Sequence, residues 1–151
     1  MDVTREKFVR LGDIAEVRKP RDTETSVTGQ VLRAVDLKYP LSKQLLKSAN
    51  VTDVKLQQGD LVATQNLKIV YLIDIVPKQQ IFLSKSLILI RPHTKLVSPH
   101  FLLLYLQSDT AKEYATTVIA GITLQRISLL GLVKFPIPLP EISTQERAKA
   151  I

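Results

Sequence analysis

Asp36, followed later by Asp53-Val54-Lys55, is the pattern in this chain that most resembles catalytic machinery. Metal-dependent nucleases hold a divalent ion between two carboxylates and place a lysine close to the attacking water. Here Asp53 and Lys55 stand in a polar, turn-like stretch ahead of Gly59, and such triplets arise by accident in chains of this size. His93 and His100 each follow a proline at an element boundary and lack a carboxylate at metal-ligand spacing, so surface or capping roles suit them better. There is no Gly-x-Gly-x-x-Gly, no Gly-x-x-x-x-Gly-Lys-Ser/Thr and no Gly-x-Ser-x-Gly. Nucleotide cradles and a serine nucleophile elbow are therefore not evident. The adenine methyltransferase signature of Asn or Asp before Pro-Pro-aromatic is also missing, as is a glycine loop for a methyl donor. No catalytic residue, no metal ligand and no cofactor of the chain's own is expected.

Other residues suit a different chemistry. Reading a nucleic acid requires cations for phosphates and forked donors or amides for base edges. Arg18-Lys19-Pro20-Arg21 presents three cations around a stiffening proline, although Asp22 and Glu24 nearby are equally compatible with a solvated charged loop. Thr64-Gln65-Asn66-Leu67-Lys68 sets two amides beside a lysine at the end of a strand, where an ordinary polar turn is the competing reading. Lys78-Gln79-Gln80 repeats that combination at the expected tip of a two-stranded ribbon, a shape that can enter a major groove. Lys85 interrupts an apolar run and must reach solvent or a partner. Thr123-Leu124-Gln125-Arg126, after Gly121, offers a hydroxyl, an amide and a guanidinium, or else a helix-capping turn.

The balance of charge agrees with a polyanionic partner. The 151-residue chain carries a formal +7, and the surplus is concentrated in residues 61–140, with eight basic and three acidic side chains. Such a surplus attracts nucleic acid, without proving that it binds any. An interaction module whose charge merely keeps it in solution is thus a third possibility beside the DNA reader and the nuclease. With no cysteine there can be no disulfide, no thiolate zinc site and no cysteine nucleophile, which suits a reducing, cytoplasmic setting. No secretory h-region stands at the N-terminus, and Asp74 interrupts the best apolar run well short of a membrane span.

The elements that would position these residues are mostly strands in the first two thirds and helices afterwards. Phe8–Leu11 alternates as a short strand, and Gly12-Asp13 offers a turn with Asp13 as helix cap. Residues 18–29 read as an exposed loop, 30–36 as strand-like, and 41–48 as either one helical turn or irregular. Gln58-Gly59-Asp60 is a turn feeding a strand at 61–64. Residues 69–76 and 81–91 are the strongest strands, with Pro77–Gln80 as a hairpin loop between them and a bulge or change of strand at Ser84-Lys85-Ser86. Ser98-Pro99 begins a helix that is apolar nearly all round, and Ser108-Asp109 caps a second one ending before Gly121. A short apolar segment follows, then a strand clamped by Pro136, Pro138 and Pro140, and a new helix near Ser143. With few aromatic residues the core should be aliphatic. Together these predict one α+β domain with a bent, mostly antiparallel or mixed sheet.

Five short motifs occur in an order that resembles the target recognition domain of type I restriction-modification specificity subunits. They are Phe8–Ile14 with its Leu-Gly-Asp-Ile, Leu56–Val62 with its Gly-Asp-Leu turn, and Leu96–Ser108 as the helix after the sheet. The fourth, Gly121–Ile127, takes the family's Gly-Ser/Thr-x-Gln-x-x-Ile position, and the fifth is the proline stretch and glutamine of Pro136–Glu146. The resemblance implies a non-catalytic domain that reads one half of a split double-stranded DNA target. It implies a partner methyltransferase subunit, which alone would hold S-adenosylmethionine, and a motor nuclease subunit for cleavage. It divides the chain into a recognition domain over 1–142 and the start of a spacer, coiled-coil helix over 143–151. A single such domain would be a fragment, a half-subunit that pairs with a second copy, or part of a larger methyltransferase. The resemblance also implies that Gly121–Ile127 positions backbone, while loops 18–28, 64–68 and 78–86 read sequence, and that the Phe101–Leu106 helix belongs to the core.

Overall fold

Leu87-Ile88-Leu89-Ile90 contains no polar position, the pattern of a strand covered on both faces. It begins β8 (Leu87–Pro92), the central strand of the molecule. The computed structural model describes residues 7–41, 46–119 and 126–148. In it β8 pairs antiparallel with β2 (Ala15–Arg18) on one side and with β5 (Leu61–Thr64) on the other, and β5 carries β6 (Val70–Leu72) at the edge. Side chains alternate across this four-stranded sheet. Ile88, Ile90, Leu61 and Ala63 enter one core, which is closed by helices. Leu87, Leu89 and Val62 enter a second core on the opposite face. All seven are fully buried, and each large aliphatic among them contributes about 2 kcal/mol by leaving water.

A three-stranded sheet covers the second face. In it β3 (Thr28–Leu32) lies between β4 (Ser48–Asn50), antiparallel, and β7 (Ile81–Leu83), parallel. Near it Ala34–Lys38 forms a 3-10 turn. The first face is covered by α2 (Pro99–Leu106), α3 (Asp109–Ile119) and α4 (Leu129–Val133), with α1 (Leu11–Ile14) approaching α4 at Gly12. A Cβ on Gly12 would stand 2.6 Å from Val133 Cγ1, so only glycine fits that crossing without a shift. A two-stranded ribbon of β1 (Phe8–Arg10) and β9 (Pro136–Pro138) joins the beginning of the fold to its end, and α5 (Ile142–Ala148) follows. The α+β class and the mostly antiparallel, mixed pairing expected from sequence are the observed ones, although the strands form three sheets rather than one.

The helix signals read from sequence are also present. Ser98 Oγ accepts the Phe101 N–H with Pro99 at the first helical position, and Ser108 Oγ accepts the Ala111 N–H. Three expectations need correction. Residues 77–80 do not close a hairpin: β6 ends at Leu72 and pairs with β5, whereas β7 joins the other sheet, so this segment is a crossover between sheets. The polar Ser84-Lys85-Ser86 does mark a change of strand, from β7 to β8. Asp13 is inside α1 rather than at its cap, and pairs with Arg10 at 3.2 Å. Third, the strand-like stretch 30–36 is strand only as far as Leu32, after which Ala34–Lys38 turns as a 3-10 helix. The Phe101–Leu106 helix is core as expected, with Leu102 and Leu106 buried and Phe101, Leu103 and Tyr105 packed against the same core. Part of the 41–48 segment, residues 42–45, lies outside the described residues.

Two buried polar groups tie distant segments together. Asp60, 1% exposed, accepts Arg91 Nε at 2.7 Å, Arg91 Nη2 at 2.9 Å and the Gln57 N–H at 2.7 Å. Hydrogen bonding to this carboxylate raises the Arg91 pKa from its ordinary value, against the smaller opposing effect of burial. Gln145, fully buried, accepts the Ser98 N–H at 2.6 Å and donates to Leu96 O and Pro140 O. The start of α5 is thereby bolted to the start of α2.

Candidate nucleic-acid interface

The register of the central sheet decides which loops share an end. Thr64 is opposite Leu87 and Arg18 opposite Leu89, so β2 finishes, β5 finishes and β8 begins on the same side. Leu61 is opposite both Leu72 and Ile90, at the other end. Loops 18–25, 64–69 and 84–86 therefore emerge together, and hydrogen bonds connect them.

Loop 64–69 joins β5 to β6 and is built largely by its own polar groups. Thr64 N donates to Ile69 O at 3.0 Å and Leu67 N to Thr64 O at 2.9 Å. Asn66 Oδ1 accepts from Thr64 Oγ1 and from Lys68 N. Leu67 adopts φ 59°, a left-handed conformation that side chains disfavour, yet its side chain is buried in the helix-side core. Burial of a leucine, about 2 kcal/mol, outweighs the roughly 1 kcal/mol of backbone strain. The plug below leaves Gln65, Asn66 and Lys68 above it. Gln65 is then clamped from the far end of the chain, because Ile127 N donates to Gln65 O at 2.9 Å. That contact puts exposed Arg126 beside the loop.

Gln65 also leans toward loop 84–86: its Nε2 lies 3.5 Å from Lys85 O and 3.4 Å from Ser86 O. These contacts are at the outer limit of hydrogen bonding, so the amide can exchange them for a better acceptor at little cost. Exposed Lys85 reaches Asp22 Oδ2 at 2.9 Å. Asp22 in turn bridges Thr52 through the backbone, and Thr52 Oγ1 donates to Leu83 O at 2.6 Å. Beside it, Asp53 Oδ2 accepts Arg18 Nη2 at 2.6 Å, while Asp53 Oδ1 accepts the Arg21 N–H at 2.8 Å. Five chain segments, 18–22, 52–53, 64–68, 84–86 and 126–127, thus form one connected edge.

Arg18, Lys19, Arg21, Gln65, Asn66, Lys68, Lys85 and Arg126 lie on these segments. Lys78 and Gln79 do not: their crossover departs from the Leu72 end of the sheet, because 77–80 is not the tip of a ribbon. Thr123 and Gln125 lie outside the described residues. Sequence reasoning missed Asp22 and Asp53 as partners of the cations, since Asp22 is 63 positions from Lys85 and Asp53 is 35 from Arg18.

The nuclease pattern is not favoured. Both Asp53 oxygens are committed to Arg18 and the Arg21 backbone, and Asp36 accepts the Arg33 N–H within the 3-10 turn. A guanidinium at 2.6 Å from a carboxylate repels the divalent ion that catalysis would need. Among the described residues no group of three or more His, Cys, Asp or Glu side chains is disposed to hold a metal. His93 is exposed, and His100, half-buried, lines a groove of about 470 Å³ with Asp74 and Glu146 near the start of α5. Nor is any helix among the described residues long and apolar enough to cross a membrane.

Comparison with solved structures places this fold beside two others. It matches the HsdS subunit from Thermoanaerobacter tengcongensis with a TM-score of 0.71 at 15% identity, over 99% of this chain and 37% of that one. A chain solved in a study of complex assembly and conformational transition of the type I R-M system matches with a TM-score of 0.65 at 20% identity, over 95% of this chain and 40% of that one. The chain therefore spans about two fifths of the length of these neighbours. No curated protein matches the sequence significantly. The model of the type I restriction modification DNA specificity domain matches residues 5–151. On that match, and with the motifs and the fold in agreement, the chain belongs to the family of type I restriction modification DNA specificity domains.

Proposed function

We propose that this chain is a sequence-specific, non-catalytic DNA reader that directs a type I restriction-modification complex to one half of a split target. The observation that supports it is the connected edge at which five chain segments present cations and amides together. Arg18, Lys19, Arg21, Lys68, Lys85 and Arg126 are assigned to phosphates, which give affinity and register. Gln65 and Asn66 are assigned to base edges, where an amide can pair with adenine in a bidentate way. Lys78 and Gln79, at the other end of the sheet, fall outside this face.

The reading carries partners with it. Residues 1–142 form the recognition domain and 143–151 begin a spacer helix, on which a cytoplasmic adenine methyltransferase subunit, and a motor nuclease subunit for cleavage, assemble. S-adenosylmethionine belongs to that methyltransferase, and a second copy of this chain would supply the other half-site if it is a half-subunit. The Gln145 bonds to Ser98, Leu96 and Pro140 support this arrangement, because they fix the direction in which α5 leaves the domain.

Selection from a random-sequence DNA pool, with and without a cognate methyltransferase subunit, tests the proposal. Enrichment of one short half-site, with no cleavage or methyl transfer by the chain alone, is the expected result. Failure to enrich any sequence in either condition would overturn it, and magnesium-dependent cutting abolished by Asp53→Ala would replace it with the nuclease.

A further inference from the structure

Two of the cations on the candidate interface are already held by carboxylates, and the backbone holds those carboxylates in place. Arg21 and Asp53 are joined by Asp53 N donating to Arg21 O at 2.9 Å, and their neighbours Asp22 and Thr52 form an antiparallel bridge. Across this short pairing, Asp53 takes Arg18 and Asp22 takes Lys85. Thr52 is itself buried and anchored on Leu83 O, so the Asp22 backbone is fixed relative to the start of the Lys85 loop. The pair Lys85–Asp22 is exposed on both sides, with 58% and 68% of the side chains accessible. Such a pair adds little to folding stability. Its position matters for a different reason: a phosphate that pairs with Lys85 must do so within reach of the Asp22 charge, 2.9 Å from the ammonium.

We infer that Asp22 is a specificity-determining residue that screens Lys85 from DNA backbone and so suppresses binding to non-target sequence. The inference rests on the DNA-reading function above. A loose, sequence-independent complex gains affinity only from cations meeting phosphates. Each such contact at Lys85 must first displace Asp22 and then tolerate its charge nearby. A complex seated on its target has the additional bonds of Gln65, whose amide touches the Lys85 and Ser86 carbonyls, to offset that displacement. The carboxylate therefore handicaps the non-specific state more than the specific one, as repulsive elements do in other discriminating interfaces. Asp53 is a poorer test of the idea, because it also receives the Arg21 N–H and its loss would loosen the loop.

The experiment compares wild type, Asp22→Asn, Lys85→Gln and the double variant of the full chain on a labelled duplex of random sequence, at salt from roughly 50 to 200 mM. Asp22→Asn is expected to tighten this binding about three- to tenfold at the low-salt end and to steepen the salt slope by about one unit, the signature of one added phosphate contact. In the Lys85→Gln background the same change should do little. On the half-site enriched by selection, Asp22→Asn should tighten binding less than on random duplex, so that the ratio of the two affinities falls. Unchanged or weakened random-duplex binding, with wild type itself binding in a salt-dependent way, overturns the screening role and leaves the DNA-reading function intact. A preserved affinity ratio overturns it too. Wild type that binds neither duplex at any salt overturns the function, and the inference with it. Matched thermal melts of the four proteins exclude unfolding as a cause.

Discussion

Leu67 is the position where conformation and burial pull against each other, and truncating it separates them. Leu67→Ala removes the plug from the helix-side core but leaves an L residue at φ 59°. Emptying a buried leucine site costs about 2–4 kcal/mol, depending on how far the surroundings collapse. Leu67→Gly empties the same site and also relieves the left-handed strain, about 1 kcal/mol, less roughly 0.5 kcal/mol for the added freedom of the unfolded chain. Glycine should therefore be the milder substitution, by about 0.5 kcal/mol. In ordinary helix or strand interiors the order is reversed by a similar amount. Urea melts of the two variants with equal m-values would resolve the difference. Amide exchange provides a second readout, since Leu67 N and Ile127 N donate to Thr64 O and Gln65 O and should exchange faster in both variants. An alanine variant as stable as the glycine variant, or more so, would refute the claim that core burial holds this turn in a strained shape.

Two further outcomes follow from the buried pair and from the placement of the cations. Asp60→Ala leaves Arg91, whose side chain is 27% exposed, without its bidentate partner and the Gln57 N–H without an acceptor. Glu16, 3.7 Å from Arg91, takes up only part of that charge. A destabilisation of roughly 2–4 kcal/mol is expected in denaturant melts, and a loss below about 0.5 kcal/mol would remove Asp60 from its structural role. Charge reversal should distinguish the two ends of the sheet: Lys68→Glu is expected to weaken DNA binding at least tenfold at low salt, and Lys78→Glu to change it less than about threefold. Equal losses would mean that the overall field, rather than one edge, attracts DNA.

What was legible in the chain depended on whether the signal was local. Ser98-Pro99 and Ser108-Asp109 announced helix starts because capping is settled within four residues, and both caps are present. The apolar run over 81–91 announced strand on equally local grounds, and its polar 84–86 marks where one strand ends and the next begins. The partner of a strand is not local. Residues 77–80 resembled a hairpin because two apolar runs flank a short polar segment, yet β6 ends early at Leu72 and β7 pairs in parallel with β3, some fifty residues earlier. No periodicity records that choice, which is made by two cores on opposite faces of one sheet. Cation partners were invisible on the same grounds: Arg18 meets Asp53 and Lys85 meets Asp22 only after three strands have been placed. Lys78 and Gln79 lie on the 77–80 crossover and not on the segments that join Arg18, Gln65 and Lys85.

Main-chain bonds shape the loops of the connected edge and dock two of its segments, while the side chains of Gln65, Lys85 and Arg18 complete the links. Ile127 N reaches Gln65 O, Asp53 N reaches Arg21 O, Leu87 N reaches Ser84 O, and Thr64 N reaches Ile69 O, none of which depends on the identity of an exposed side chain. The side chains that hold each loop point inward instead: Leu67 into one core, and Thr52 onto the Leu83 carbonyl. Anchoring and display are thus carried largely by different atoms of the same segments. Outward residues such as Lys68 and Arg126 can change without disturbing these bonds, whereas Gln65 and Lys85 also tie one loop to the next. If the proposed edge reads DNA, a new target sequence then requires new side chains on an old backbone rather than a new arrangement of strands.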